Sequence, residues 1–116
     1  MYYINKAISY RVDFINSVSK NWHCISKVSL DYVNKECMFE ISSYDNEEDF
    51  KNNNNSFVTF LTLNAIPNFS VDPILFIWRC LISSETSPFY KADLQKDYSI
   101  EQFKNKEEIT NESIPE

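Results

Sequence analysis

The sequence predicts an α+β domain: an antiparallel sheet of about four or five strands with one buried helix and a short C-terminal helix. Three observations lead there. Hydrophobic residues make up 43% of the chain and aromatic residues 16%, carried largely by Phe, Tyr, Ile and Val, which favour strands. Several segments alternate apolar and polar residues, the period of a half-buried strand. One segment, Asp72-Pro73 followed by Ile74 to Ser83, combines a helix start signal with the apolar density of a buried helix.

In the first segment Ile8, Tyr10, Val12 and Phe14 alternate with Ser9, Arg11 and Asp13. Ile4, Ile8, Val12, Ile15 and Val18 also fit a helical stripe, but the Ser and Asn content of residues 16–21 disfavours a helix interior, so a strand is expected. From Trp22 to Tyr32 the alternation is patchy, with Val28, Leu30 and Tyr32 on one side. Asn34-Lys35-Glu36 reads as a turn, and Cys37, Phe39 and Ile41 resume the pattern, which together predict a hairpin. Asp45 to Ser56, DNEEDFKNNNNS, is expected to be a loop, or a short helix followed by a loop. Phe57 to Leu63, FVTFLTL, is apolar on both faces and is therefore expected at the centre of the sheet. Ser99-Ile100-Glu101-Gln102 matches a capping box and opens a short polar helix near residues 100–109. The whole is read as a single α+β domain over 1–110 with a polar C-terminal tail at 111–116. No internal repeat is read, and Asn52–Asn55 is the only low-complexity run.

The chain contains no glycine, although average usage would place roughly eight in this length. P-loops, dinucleotide fingerprints and nucleophile elbows all need that residue, so those enzyme classes are excluded. The dominant residues, Asn, Lys, Ile, Tyr, Phe and Ser, share A/T-rich codons, which points to an AT-rich bacterial or phage-borne gene and accounts for part of the missing glycine. Turns that need positive φ must fall to Asn and Asp, with Asn34, Asn46, Asn53, Asn54 and Asn68 as candidates.

The net charge of −6 is unevenly spread: residues 1–35 sum to +3, 36–49 to −6, 50–96 to +1 and 97–116 to −4. Phosphate backbones would be repelled, which argues against direct nucleic-acid binding, whereas a basic protein would be attracted. Cys24, Cys37 and Cys80 are odd in number and lack CxxC spacing, as suits reduced thiols in the cytosol. The N-terminal MYYINKAISYR lacks the apolar stretch of a signal peptide, and the densest apolar run, Ile74 to Ile82, contains Arg79 and is far shorter than a membrane span. A cytoplasmic protein without a membrane segment is expected.

Four constellations could carry chemistry. His23 beside Cys24 offers a thiolate–imidazole pair, but neighbours on a strand point to opposite faces, so Cys24 is read as a small core residue and His23 as a surface imidazole. His23, Cys24, Cys37 and Cys80 have zinc-ligand types without the spacing of a knuckle or ribbon. Paired carboxylates would need an apolar pocket, and the acids lie mainly in polar loops. Asp45, Glu47, Glu48 and Asp49 form the most concentrated charge; they are either a solvating loop or a recognition surface for Lys and Arg, with Phe50 as its apolar anchor. This loop lacks the ligand pattern and central glycine of an EF-hand. Trp78-Arg79 has the residue types of an interface pair, though on a buried helix Trp78 belongs in the core. Phe89-Tyr90 is read as core closure or partner contact. No catalytic residue, cofactor or metal is assigned.

Small size, acidity, cytoplasmic character, AT-rich composition and the missing catalytic motifs together resemble a bacterial immunity protein of the contact-dependent growth inhibition or polymorphic-toxin type. The resemblance is one of overall character and carries no motif. It implies a cognate toxin, commonly a nuclease, as partner. Asp45, Glu47, Glu48, Asp49 and Phe50, with Glu107 and Glu108 of the C-terminal segment, would then enter the basic cleft meant for phosphates. The chain is also similar to small acidic secretion chaperones, which hold an extended effector segment and use an apolar dimer face.

Overall fold

The computed structural model describes residues 1–96. Five strands form one antiparallel sheet: β1 (Tyr2–Arg11), β2 (Ser17–Asp31), β3 (Glu36–Tyr44), β4 (Phe57–Leu63) and β5 (Leu94–Lys96). Their order is β4-β3-β2-β1-β5. The short helix α1 (Glu47–Lys51) follows β3, and α2 (Pro73–Ser83) lies between β4 and β5. The α+β expectation holds, with a strand in the first segment, although β1 stops at Arg11 and Val12 and Phe14 fall in the turn that follows, and with the hairpin between β2 and β3. The helix expected near residues 100–109, the 111–116 tail, Glu107 and Glu108 lie outside the described residues.

One face of the sheet carries α2. Ile77, Trp78 and Leu81 of the helix are buried with Ile4, Ile8, Ile25, Cys37, Phe39 and Ile41 of the strands. Asp72 caps α2, its carboxylate accepting the Ile74 N–H at 2.9 Å, with Pro73 in the first helical position where no N–H is needed. Trp78 is a core residue, and Arg79 points to solvent. Phe89 closes the core, edge-on to both Trp78 and His23 at 5.1 and 5.2 Å between ring centres.

Strand β2 explains its own patchy alternation. Trp22, His23, Cys24 and Ile25 are all buried, because both faces of the sheet are covered here. His23 and Ile25 face the α2 side, while Trp22 and Cys24 join Tyr44 in a second cluster against Tyr3 and Phe50. Bulges between Ile25 and Lys27 in β2 and between Asn5 and Ile8 in β1 shift the register.

FVTFLTL is an edge strand, contrary to the expected central place. Leu63 packs on the core and Phe57 stacks on Tyr10, but Val58 and Phe60 share the open face with the exposed Met38. Apolar residues on both faces thus reflect one partly covered face, on which Leu61 is still exposed, and one open face.

The turns without glycine follow a rule that sequence inspection missed. Asp13-Phe14-Ile15-Asn16 and Asp31-Tyr32-Val33-Asn34, at opposite ends of β2, make the same local bonds. Each Asp Oδ1 accepts the N–H groups two and three residues on, at 2.8 and 2.7 Å in the first turn and 3.1 and 3.0 Å in the second. Each Oδ2 accepts the Asn side-chain amide, at 3.0 and 2.8 Å. These bonds hold both carboxyls below their ordinary range, the Asn16 and Asn34 contacts being foremost. One four-residue turn geometry is thus used twice, without any longer repeat of sequence. Positive φ falls on Lys35, Asn53, Asn55 and Lys91, so of the five asparagines expected there only Asn53 is one.

Candidate functional site

The acidic segment sits on a fixed platform. Asn46 caps α1 through Oδ1, which accepts the Asp49 N–H at 2.8 Å, and Glu47, Glu48 and Asp49 form the first turn. Carboxylates are favoured there because the free N–H groups of a helix start attract negative charge. The helix stops after one turn because the asparagine run takes over: Asn52 N–H donates to the Glu48 carbonyl at 3.0 Å, and Asn53 and Asn55 turn the chain with φ of 55° and 54°.

A five-residue helix cannot persist by propensity alone. Phe50 holds α1 to the sheet, stacked on Trp22 with ring centres 4.5 Å apart and edge-on to Tyr44 at 5.5 Å. Trp22 in turn stacks on Tyr3 at 5.1 Å. On the other side of the loop, Lys20 Nζ bonds Asp45 Oδ1 at 3.3 Å and the Asn55 carbonyl at 2.9 Å, while the Asn21 amide donates to the Asp45 carbonyl at 3.4 Å. Asp45 therefore anchors the loop although it is exposed, as is Glu48, while Asp49 is partly exposed and Glu47 has one carboxylate oxygen buried. The structure thus gathers Asp45, Glu47, Glu48, Asp49 and Phe50 in one place, with Phe50 turned inward as a pedestal.

His23 is a correction. It is fully buried, not a surface imidazole. The Lys6 carbonyl can only accept, so Nε2 donates to it at 2.8 Å, and Nδ1 accepts from the Ser43 hydroxyl at 2.7 Å. The Tyr10 hydroxyl donates to Ser43 Oγ at 3.0 Å. Burial pushes the imidazole below its ordinary value, against the opposite pull of its backbone bonds with Lys6 and Lys20. A serine bonded to a histidine has the parts of a nucleophile and base, yet both side chains have zero exposure, so a substrate has no path to the hydroxyl. Among the described residues no carboxylate orients the ring; that place is taken by the Lys6 carbonyl. The network satisfies buried polar groups where β1, β2 and β3 meet beside Phe89.

Cys24 is buried against Trp22 and Tyr44, on the face opposite His23. Burial raises the Cys37 thiol, with a further contribution from Cys80, and raises Cys80 as well. Among the described residues no group of three or more His, Cys, Asp or Glu side chains could hold a metal ion. None of their helices is long and apolar enough to cross a membrane.

Sequence inspection also missed a shallow trough of about 570 Å³ on the open face, bordered by Lys27, Ser29, Met38, Glu40, Phe60 and Thr62. The signal was present: the alternate residues Met38 on β3 and Val58 and Phe60 on β4 are apolar where an uncovered face would carry polar ones. The chain matches no family model, no curated protein and no solved structure.

Proposed function

We propose that this chain is an immunity-type binding protein that neutralises a basic partner, a toxin domain such as a nuclease, by presenting the α1 carboxylates to its cationic cleft. One observation carries the reading: Glu47, Glu48 and Asp49 are held in a single capped turn, pinned by the Phe50–Trp22 stack and by the Lys20–Asp45 contact. Carboxylates fixed in advance lose little freedom on binding, and their field speeds the encounter with a positive surface. The charge of −6 acts in the same direction.

The test is coexpression with a toxin encoded beside this gene, followed by affinity measurement. Glu47→Lys, Glu48→Lys and Asp49→Lys combined should abolish growth rescue and weaken binding at least a hundredfold, with the weakening reduced at high salt. Asp45 is left intact because it anchors the loop. Unchanged affinity in a folded triple variant would overturn the reading.

The second reading, a small acidic chaperone holding an extended effector segment, is favoured by one feature. Strand β4 is an uncharged edge beside an apolar trough, where an added strand could pair. A peptide that binds the triple variant as well as the parent would support it.

A further inference from the structure

On the α2 side of the sheet Phe89 lies edge-on to His23, with ring centres 5.2 Å apart. Phe89 is buried, yet it belongs to neither helix nor strand. It stands in residues 84–92, a strap between α2 and β5. The strap's backbone bonds are mostly its own: Ser87 N–H donates to the Ser84 carbonyl, Tyr90 to Ser87 and Ala92 to Phe89, at 3.0, 3.1 and 2.9 Å. Lys91 N–H returns to the Ile82 carbonyl at 2.9 Å, and Lys91 itself sits at φ 61°, a conformation that a residue with a Cβ takes at a cost. Among the described residues the strap's hydrogen bond to the sheet is a single one, from Lys6 Nζ to the Pro88 carbonyl at 3.0 Å, exposed to solvent.

Lys6 links the strap to the imidazole. It falls where β1 shifts register against β2, between Asn5 and Ile8, and is bonded at both ends. Its carbonyl accepts the His23 Nε2–H at 2.8 Å, and its ammonium holds Pro88. We propose that residues 84–92 are an acid-released strap: a proton on His23 lifts Phe89 out of the core while the sheet beneath stays paired.

The ring's partners are neutral: the Ser43 and Tyr10 hydroxyls, the Lys6 carbonyl and Phe89. Charged groups on the surrounding elements offer an imidazolium no counter-ion. Lys6 of β1 and Lys20 of β2 are cations, and Asp45, just past β3, is held by Lys20. Glu40 of β3 accepts from the Ser26 hydroxyl at 2.7 Å, while Glu85 and Lys91 of the strap and Arg79 of α2 are exposed. A buried charge without a partner is costly, and relief comes first where the fewest bonds must break. That place is the strap. Linkage fixes the sign: burial holds the covered imidazole below its ordinary value, lifting Phe89 restores its affinity for the proton, and acid therefore favours the open form. A single proton gives at most about a tenfold gain in the open fraction per pH unit, beginning below pH 6.5.

The chain has one histidine, so its Cε1–H resonance reports the proton directly. Amide exchange followed by NMR from pH 7.5 to 4.5 should show the protection factors of Tyr90, Lys91 and Ala92 falling by up to about tenfold per pH unit as that resonance titrates. Amides of the β2–β3 ladder should keep theirs. His23→Gln, which takes no proton in this range, should leave strap protection flat. Lys6→Met should lower it about threefold at pH 7.5 and preserve the slope; unchanged protection there overturns the part assigned to Lys6. Constant strap protection while the imidazole titrates overturns the proposal, as does an imidazole still neutral at pH 4.5. So does a fall shared equally by the β2–β3 ladder, which is unfolding of the whole sheet, or a fall that persists in a folded His23→Gln variant. None of these results depends on the α1 carboxylates.

Discussion

Replacing Phe50 by Ala tests whether α1 is a fixed turn or a tethered loop. Truncating a fully buried Phe to Ala costs about 3–5 kcal/mol. Phe50 is half-buried, so roughly half of that, about 2 kcal/mol, is expected. Of this, about 0.5–1.5 kcal/mol belongs to the ring pairing with Trp22 and Tyr44. Urea unfolding followed by tryptophan fluorescence reads the loss directly. Native-state emission should shift to the red as Trp22 meets water. Amide exchange should find Phe50, Asn52 and Asn54 losing protection, because their N–H groups bond Asn46, Glu48 and Asp49 carbonyls inside this turn. Phe50→Leu, which keeps bulk without the ring, should lose less. A variant with unchanged stability, emission and exchange would show that α1 is held by other means and would refute the platform argument.

Trp78→Ala removes the largest side chain that α2 buries and should cost about 3–5 kcal/mol, a large share of a domain stability of about 5–15 kcal/mol; a melting temperature within a degree or two of the parent would contradict the packing. His23 is harder to protonate folded than unfolded, so its contribution is full above pH 6.5 and is lost as pH falls from there through the depressed folded value; unfolding titrations of a His23→Gln variant should lack that slope. Asp13 and Asp31 act lower: their stabilisation is complete above pH 3.8 and disappears as pH falls through their lowered values, so the double Ala variant should lose part of the acid limb. With burial raising Cys37 and Cys80, alkylation of these thiols at pH 8 should be at least about tenfold slower in the native protein than in urea.

Local signals in the sequence were strong where a few adjacent residues decide the outcome. The Asp72-Pro73 start of α2 needs only its own cap, and the β2–β3 hairpin only its alternation. Strand β4 was misplaced because hydrophobicity reports how much a residue resembles core, not whether another strand lies beyond it. His23 was misread because its partners Tyr10 and Ser43 lie 13 and 20 residues away and become neighbours only through sheet register. The acidic cluster was plain from composition, but the inward turn of Phe50 depends on Trp22, more than two dozen residues earlier. The paired Asp–Asn turns share only their first and fourth residues, and their likeness lies in backbone bonds that the sequence does not display.

Those two turns bear on how the sheet assembles. They join β1 to β2 and β2 to β3 through five and four residues outside the paired ladder, Val12–Asn16 and Tyr32–Lys35. Closing such short loops costs little chain entropy, and local pairings of this kind form fast. The three-stranded meander therefore has the least entropic barrier, whereas β5 must cross from the β4 edge to the far side of the sheet after thirty intervening residues. The turns held by Asp13 and Asp31 thus serve the most local pairings, while the β1–β5 pairing is the one of longest range. A chain without glycine has placed its most local instructions at the two ends of its longest strand.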